Sequence, residues 1–234
     1  MDDVRAPQSP VDRIAGAPIS WGVCEVPDRG YQLAPGPVLA EMCQVGLGAT
    51  ESGPEGFLPP DPDAMAAVLA AHGPTAVGGF TPVVLHERTH DPLPAVERLL
   101  DGHAASGAAT LVLSAATGRD NYDSRPDLDE DGWRTLLADL DRLTTRAGEH
   151  GVRAVLHPHV GTMIETGPEV QRVLADCSVS PCLDTGHLLV GGTDPADVAR
   201  QAPDRIAHTH VQDVDVPAIV EHLRALLTRR ALVP

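Results

Sequence analysis

Short apolar runs alternate along the chain with longer stretches in which apolar residues recur every three or four positions. The apolar runs predict buried strands, and the periodic stretches predict helices. The predicted strands cover residues 17–22, 47–51, 75–80, 110–114, 152–157, 181–184 and 205–210. The predicted helices cover residues 37–45, 61–70, 93–106, 129–150, 167–176, 194–201 and 215–229. Alternation with short connections is typical of a parallel sheet with helices packed on it.

The pattern contains seven strand–helix units, whereas a closed (β/α) barrel contains eight. We therefore expect an α/β fold of the (β/α) TIM-barrel type that lacks the eighth β/α unit. Residues 1–10 are acidic and lack a hydrophobic segment, so they do not resemble a signal peptide. We expect residues 1–13 to form a flexible N-terminal tail. Residues 14–234 predict a single, truncated barrel domain. Because an unpaired parallel edge favours association with another chain, we also expect a homo-oligomer.

Composition excludes several classes of function. The formal net charge of −16 argues against binding to nucleic acid or to an anionic membrane surface. No apolar run approaches the roughly 18 residues that a membrane span requires. The four cysteines form no C-x-x-C motif, which favours a reduced, cytoplasmic location. All 17 basic residues are arginines, and the absence of lysine excludes Schiff-base, pyridoxal-phosphate and P-loop chemistry.

Three successive predicted strands end in histidine or aspartate: His157 with His159, then Asp184, then His210. Active sites of (β/α) barrels form at the carboxyl ends of the strands. We therefore expect His157, or alternatively His159, to converge with Asp184 and His210. Two imidazoles and a carboxylate with open positions suit a divalent metal. A hydrogen-bonded core histidine is the alternative for any one of them, but three in register favour a metal site.

Four further residues carry more ambiguous signals. His187 follows strand six and is a candidate acid–base group or a contact for a substrate hydroxyl. Glu165 either caps the next helix or binds a substrate hydroxyl, and Glu51 presents the same two alternatives at strand two. Trp21 is either a core residue or a flat apolar wall for a sugar ring.

Four motifs together resemble the xylose isomerase-like TIM-barrel superfamily of sugar phosphate isomerases and epimerases. The similarity is greatest to the inosose dehydratases and extends over nearly the whole chain. The motifs are Pro18-Ile-Ser-Trp21, His157-Pro-His-Val-Gly-Thr162, Leu183-Asp-Thr-Gly-His-Leu188 and His208-x-His210-x-x-Asp213.

The resemblance implies that Asp184 and His210 are metal ligands. It favours manganese or cobalt as the metal, with magnesium or zinc as alternatives. His157 stands where many members carry a ligand glutamate, and Gln212 stands where relatives usually carry lysine. We expect His187 and Glu165 to be catalytic. The residues expected to contact substrate are Trp21, Glu51, His159 and Asp213.

The chemistry implied by the resemblance begins at a ketone. A metal that binds the ketone oxygen and a neighbouring hydroxyl acidifies the adjacent C–H, and a base then forms a metal-stabilised enediolate. Reprotonation gives isomerisation or epimerisation, whereas loss of a β-hydroxyl gives dehydration. We expect an unphosphorylated sugar or cyclitol as substrate and a place in carbohydrate metabolism such as inositol catabolism. The alternative is a catalytically impaired barrel that binds sugar or metal without turnover.

Overall fold

A computed structural model describes residues 13–24, 30–119 and 124–215 of the chain. Its strands are β1 (Ala49–Glu51), β2 (Thr75–Val84), β3 (Thr110–Ala116), β4 (Arg153–Leu156), β5 (Ser180–Asp184) and β6 (His208–His210). Its helices are α1 (Pro35–Gln44), α2 (Pro62–His72), α3 (Leu93–Ser106), α4 (Glu130–Glu149), α5 (Gly167–Asp176), α6 (Thr185–Val190) and α7 (Pro195–Gln201). The predicted helix 215–229 falls almost entirely outside the described residues, as does most of the predicted tail.

The six strands form one sheet in the order β1-β2-β3-β4-β5-β6, so strands that are consecutive in the chain are neighbours in the sheet. The pairs β1–β2, β4–β5 and β5–β6 are parallel. This order and direction confirm the predicted α/β architecture of the barrel type. In the register of the last pair, Asp184 lies opposite His210. The two residues therefore end neighbouring strands at the same edge of the sheet.

The predicted first strand over residues 17–22 is wrong. Only Gly16 makes a parallel bridge, with Thr50, and Pro18–Trp21 form a 3-10 helix. Proline has no backbone N–H to donate to a strand ladder, and its fixed φ suits the first turn of a helix. Gly22 then ends the turn in the left-handed region with φ 81°.

Helix starts follow the local chemistry of the sequence. The Asp61 side chain accepts a hydrogen bond from Ala64 N at 2.9 Å, and Pro62 begins α2, as predicted. The Asp194 side chain caps α7 in the same way. Helix α6 was not predicted, because its Asp-Thr-Gly start is also a turn sequence. The predicted strand 205–210 begins only at His208, because Pro203–Arg205 form a 3-10 turn.

The chain divides into two compact units, and each has its own buried core. Of the described residues, the first contains 13–24, 30–81, 91–113 and 142–154, and the second contains 82–90, 114–119, 124–141 and 155–215. The core of the first unit includes Val38, Leu39, Met42, Phe57 and Leu69. Buried side chains of the second include Leu136, Leu140, Val155, Ile164, Val173 and Leu188. Among the described residues, no helix is long and apolar enough to cross a membrane.

Candidate metal centre

Asp184 is the central residue of the candidate site, at the point where β5 ends and α6 begins. Its side chain is fully buried. One oxygen, Oδ1, accepts the backbone N–H of His187 at 2.7 Å and thereby caps α6. A buried carboxylate is costly unless cations or hydrogen-bond donors surround it. Whether Asp184 can bind a cation therefore depends on the groups around its other oxygen, Oδ2.

Two imidazoles approach Asp184 Oδ2 from the neighbouring strands. His157 directly follows β4, and its Nε2 lies 3.0 Å from Oδ2. His210 ends β6, and its Nδ1 lies 3.6 Å from the same oxygen. The two rings meet edge to face, with centroids 4.7 Å apart. The structure thus brings together the three residues that the sequence predicts as metal ligands, all within the second unit.

The distances from Asp184 Oδ2 to the nearest nitrogens of His157 and His210 suit ligands of one divalent metal ion. Ligand atoms bound at about 2.1 Å and separated by 90–110° lie roughly 3.0–3.4 Å apart, close to the two distances to Oδ2. A second combination also fits, because donor atoms of His157, Asp184 and His187 all lie within 4.8 Å of one another. His157, Asp184, His187 and His210 are called the Asp184 cluster below.

The electrostatics of the cluster favour the protonation states that a metal requires. Burial lowers the pKa of His157 and lowers that of His187 to about 3, where the neighbouring His159 contributes as well. Burial alone would raise the pKa of Asp184, but the hydrogen bonds from His157 and the His187 backbone, together with the nearby His210 imidazole, outweigh it and lower the pKa. Near neutral pH, His157 and His187 are therefore neutral and Asp184 is ionised.

His159 and His187 both contact the main chain of Val160. The Nδ1 of His159 lies 2.7 Å from Val160 O, and Val160 N donates to His187 Nδ1 at 3.3 Å. The two rings lie almost face to face, with centroids 3.8 Å apart and a tilt of 30°. His157 stands nearly perpendicular to both. Strand β4 ends at Leu156, before Pro158. The loop after β4, and not the alternation of side chains along a strand, therefore brings His159 beside the cluster.

Glu165 contacts the loop after β4, which carries His157 and His159. Its carboxylate accepts Gly161 N at 2.8 Å and lies 3.5 Å from the Arg125 guanidinium. Arg125 also forms an ion pair with Glu169, which in turn accepts the backbone N–H groups of Glu165 and Thr166. Glu165 is therefore a structural partner of the loop in addition to any catalytic role, which remains a prediction.

Gln212 adds a third contact to Asp184 Oδ2. Its side-chain amide Nε2 donates to that oxygen at 2.6 Å. Thr185, the residue after Asp184, exchanges two hydrogen bonds with the Gln212 main chain. The sequence marks Gln212 only as a departure from the lysine of relatives, so its contact with Asp184 was not predicted. Arg125 was also missed, because nothing distinguishes it in a polar loop rich in Asp and Pro.

The other predicted substrate contacts lie in different surroundings. Trp21 belongs to the first unit, where it packs on the core and donates its indole N–H to Glu41 at 2.9 Å. Glu51 is buried at the end of β1 in the same unit. Asp213 is exposed just after Gln212. The roles of all three as substrate contacts remain predictions.

Comparison with known proteins gives consistent matches. The model of the family described as xylose isomerase-like TIM barrel matches residues 50–224. An inosose dehydratase of Lacticaseibacillus casei is 30% identical over 209 residues, which cover 85% of this chain and 70% of that protein.

Two solved structures show the same fold. The 3-keto-D-glucoside 4-epimerase YcjR of E. coli, in its apo form, has a TM-score of 0.65 at 18% identity, covering 91% of this chain and 88% of that one. The IOLI protein with a bound zinc atom has a TM-score of 0.65 at 14% identity, covering 85% and 72%. From the family model and the dehydratase together, it follows that this chain belongs to the xylose isomerase-like TIM barrel family.

Proposed function

We propose that this protein is a divalent-metal-dependent enzyme that dehydrates, isomerises or epimerises a polyol ketone. An inosose or a related cyclitol or sugar is the proposed substrate, and manganese or cobalt the proposed metal. The observation that carries the proposal is the approach of His157 and His210 to one oxygen of the buried Asp184. The similarity to an inosose dehydratase and the epimerase activity of a protein with the same fold support the reaction class.

His157, Asp184 and His210 would hold the metal, and His187 is an alternative donor. The bound ion would polarise the substrate carbonyl and acidify the neighbouring C–H. The zinc atom in a protein of the same fold supports a metal of this type. Burial keeps His157 neutral, whereas the polar partners of Asp184 keep its carboxylate ionised despite its burial, and these are the protonation states that metal ligands require.

Proton transfer requires a group beside the ligands, and helix α6 and the loop after β4 offer candidates. His159 lies against His187, and the main-chain N and O of Val160 contact the two rings. We assign the acid–base role to His187 and keep His159 as a contact for substrate hydroxyls. Glu165 is the second candidate base, although its carboxylate already accepts Gly161 N and lies near Arg125.

The test separates metal binding from chemistry. Protein prepared without a His-tag and stripped with chelator is titrated calorimetrically with Mn²⁺ or Co²⁺. It is then incubated with inosose in deuterated buffer. Exchange of the proton next to the ketone, followed by NMR, reports C–H abstraction whether the outcome is dehydration, isomerisation or epimerisation. We expect exchange only with the metal present.

Asp184→Asn is the informative variant because it keeps an oxygen that can cap α6, removes the charge and replaces the Oδ2 oxygen with an NH2 group that cannot bind a cation. Metal affinity should fall by more than the roughly 10–100-fold that loss of an outer-shell partner costs. Asp194→Asn is the matched control, since Asp194 caps α7 through the same kind of contact. Unchanged metal uptake in Asp184→Asn would contradict the site. Metal binding without exchange of any polyol ketone would favour a barrel that binds without turnover.

A further inference from the structure

We infer that Gln212 is a positioning residue that orients the Asp184 carboxylate for metal binding, and that Gly186 is required to admit its side chain. This inference rests on the proposed metal-dependent function. Gln212 is the nearest side-chain donor to Asp184, at 2.6 Å from Oδ2, compared with 3.0 Å for His157 and 3.6 Å for His210.

The contact leaves room for a metal ligand. A carboxylate oxygen can accept two interactions at once, so Oδ2 can receive the amide N–H on one side and a cation on the other. The second oxygen, Oδ1, is already engaged by the backbone N–H of His187 at 2.7 Å. With Gln212 on Oδ2 and His187 on Oδ1, rotation of the Asp184 carboxylate breaks a hydrogen bond in either direction.

The main chain of Gln212 is itself fixed beside Asp184. The Thr185 hydroxyl donates to Gln212 O at 2.8 Å and accepts from Gln212 N at 2.9 Å. A hydroxyl has one hydrogen and two lone pairs, so both bonds can form together. The segment after β6 is therefore joined to the residue that follows Asp184, and the side chain needs little conformational search to reach the carboxylate.

Gly186 provides the space for this arrangement. A Cβ atom at residue 186 would lie 2.9 Å from Gln212 Cβ and 2.8 Å from Val214 Cγ2. Both distances are shorter than the van der Waals contact distance between two carbon atoms. Alanine at this position would displace the segment that carries Gln212. Each residue of Asp184-Thr185-Gly186-His187 then has a physical reason for its identity.

The chemistry of the side chain also suits a cation site. An amide donates a hydrogen bond to the carboxylate without adding a positive charge beside the metal. Outer-shell partners of this kind hold a ligand in its coordinating orientation, and their loss typically lowers metal affinity roughly 10–100-fold.

The test measures the affinity of the chelator-stripped protein for Mn²⁺ and Zn²⁺ by calorimetry. Gln212→Met keeps the length of the side chain and removes the donor, so we expect the Kd to rise about 10-fold or more. Gln171→Met is the matched control, because the Gln171 amide pairs with Gln201 on an exposed face of the same unit. Its Kd should equal that of the unsubstituted protein.

Gly186→Ala provides an independent perturbation of the same contact. We expect a similar rise in Kd, and the double variant Gly186→Ala/Gln212→Met should show little more than either change alone, because both remove one interaction. Circular dichroism of the metal-free variants checks that they are folded. An unchanged or lower Kd in Gln212→Met would overturn the inference, as would the absence of metal binding by the unsubstituted protein. A raised Kd in a protein that exchanges no substrate proton would support this inference while refuting the proposed catalysis.

Discussion

Arg205 offers the clearest test of what fixes the strand that carries Asp184. Its guanidinium donates to three backbone carbonyls, those of Leu174 at 2.6 Å, Cys177 at 2.7 Å and Val179 at 2.8 Å. These carbonyls belong to the end of α5 and the connection into β5. One side chain thus provides partners for carbonyls at a helix terminus, which the helix itself leaves without donors.

The magnitude follows from those three contacts. Arg205→Met removes all three donors, and a buried carbonyl left without a partner costs about 1–3 kcal/mol. Cys177 and Val179 are buried, whereas Leu174 is half-buried, so water can replace only part of the loss. We expect the free energy of unfolding to fall by about 3 kcal/mol. Arg205→Lys should recover part of it, because an ammonium group cannot reproduce the planar fork.

Urea unfolding followed by circular dichroism at 222 nm measures this effect. With an m-value of about 2–3 kcal/mol/M, the midpoint should fall by roughly 1 M or more. Arg200→Met is the matched control, because Arg200 forms an exposed ion pair with Asp197 one helical turn away, which should contribute less than about 1 kcal/mol. A loss below about 1 kcal/mol in Arg205→Met would refute the reasoning.

Two further predictions concern the same unit. Arg125→Gln removes the ion pairs to Glu165 and Glu169. Hydrogen–deuterium exchange measured by mass spectrometry should therefore be faster across the backbone amides of residues 159–169. Arg134→Gln, which removes only the exposed ion pair with Asp131, should leave the exchange of these amides unchanged. Unaltered exchange in Arg125→Gln would contradict its role in the loop. Burial raises the pKa of Cys177 to about 11, so iodoacetamide at pH 8 should label it far more slowly than the exposed Cys43. The unfolded thiol ionises near pH 8.5–9, and the stability due to this shift should therefore be lost as pH rises from about 9 to 11. Equal labelling of the two thiols in the folded protein would contradict this.

The sequence predicts the elements best where local chemistry and burial agree. Asp61 followed by Pro62 marks the start of α2, and the run beginning at Thr110 marks β3, because cap, propensity and apolar pattern act together there. The 3-10 helix at Pro18–Trp21 was missed since a short apolar run does not distinguish a strand from a turn, and one bridge at Gly16 gives no periodicity.

The approach of His157, Asp184 and His210 to one another could be anticipated from strand order alone. The roles of Gln212 and Arg125 could not, because both contacts join segments far apart in the chain. Gln212 reaches a residue 28 positions away, and Arg125 reaches one 44 positions away. Only the tertiary structure specifies which polar loop residue meets which carboxylate.

The two Asp184 oxygens have different partners, since Oδ1 caps α6 and Oδ2 faces the imidazoles, and this difference would affect which ion the site prefers. Since Oδ1 is committed to the start of α6, an ion at this position would receive a single oxygen from the carboxylate. Calcium prefers six to eight oxygen ligands and commonly takes both oxygens of a carboxylate. Imidazole nitrogens suit the smaller transition ions instead. The helix cap would thus disfavour calcium, because it leaves a single carboxylate oxygen for an ion that prefers six to eight oxygen ligands.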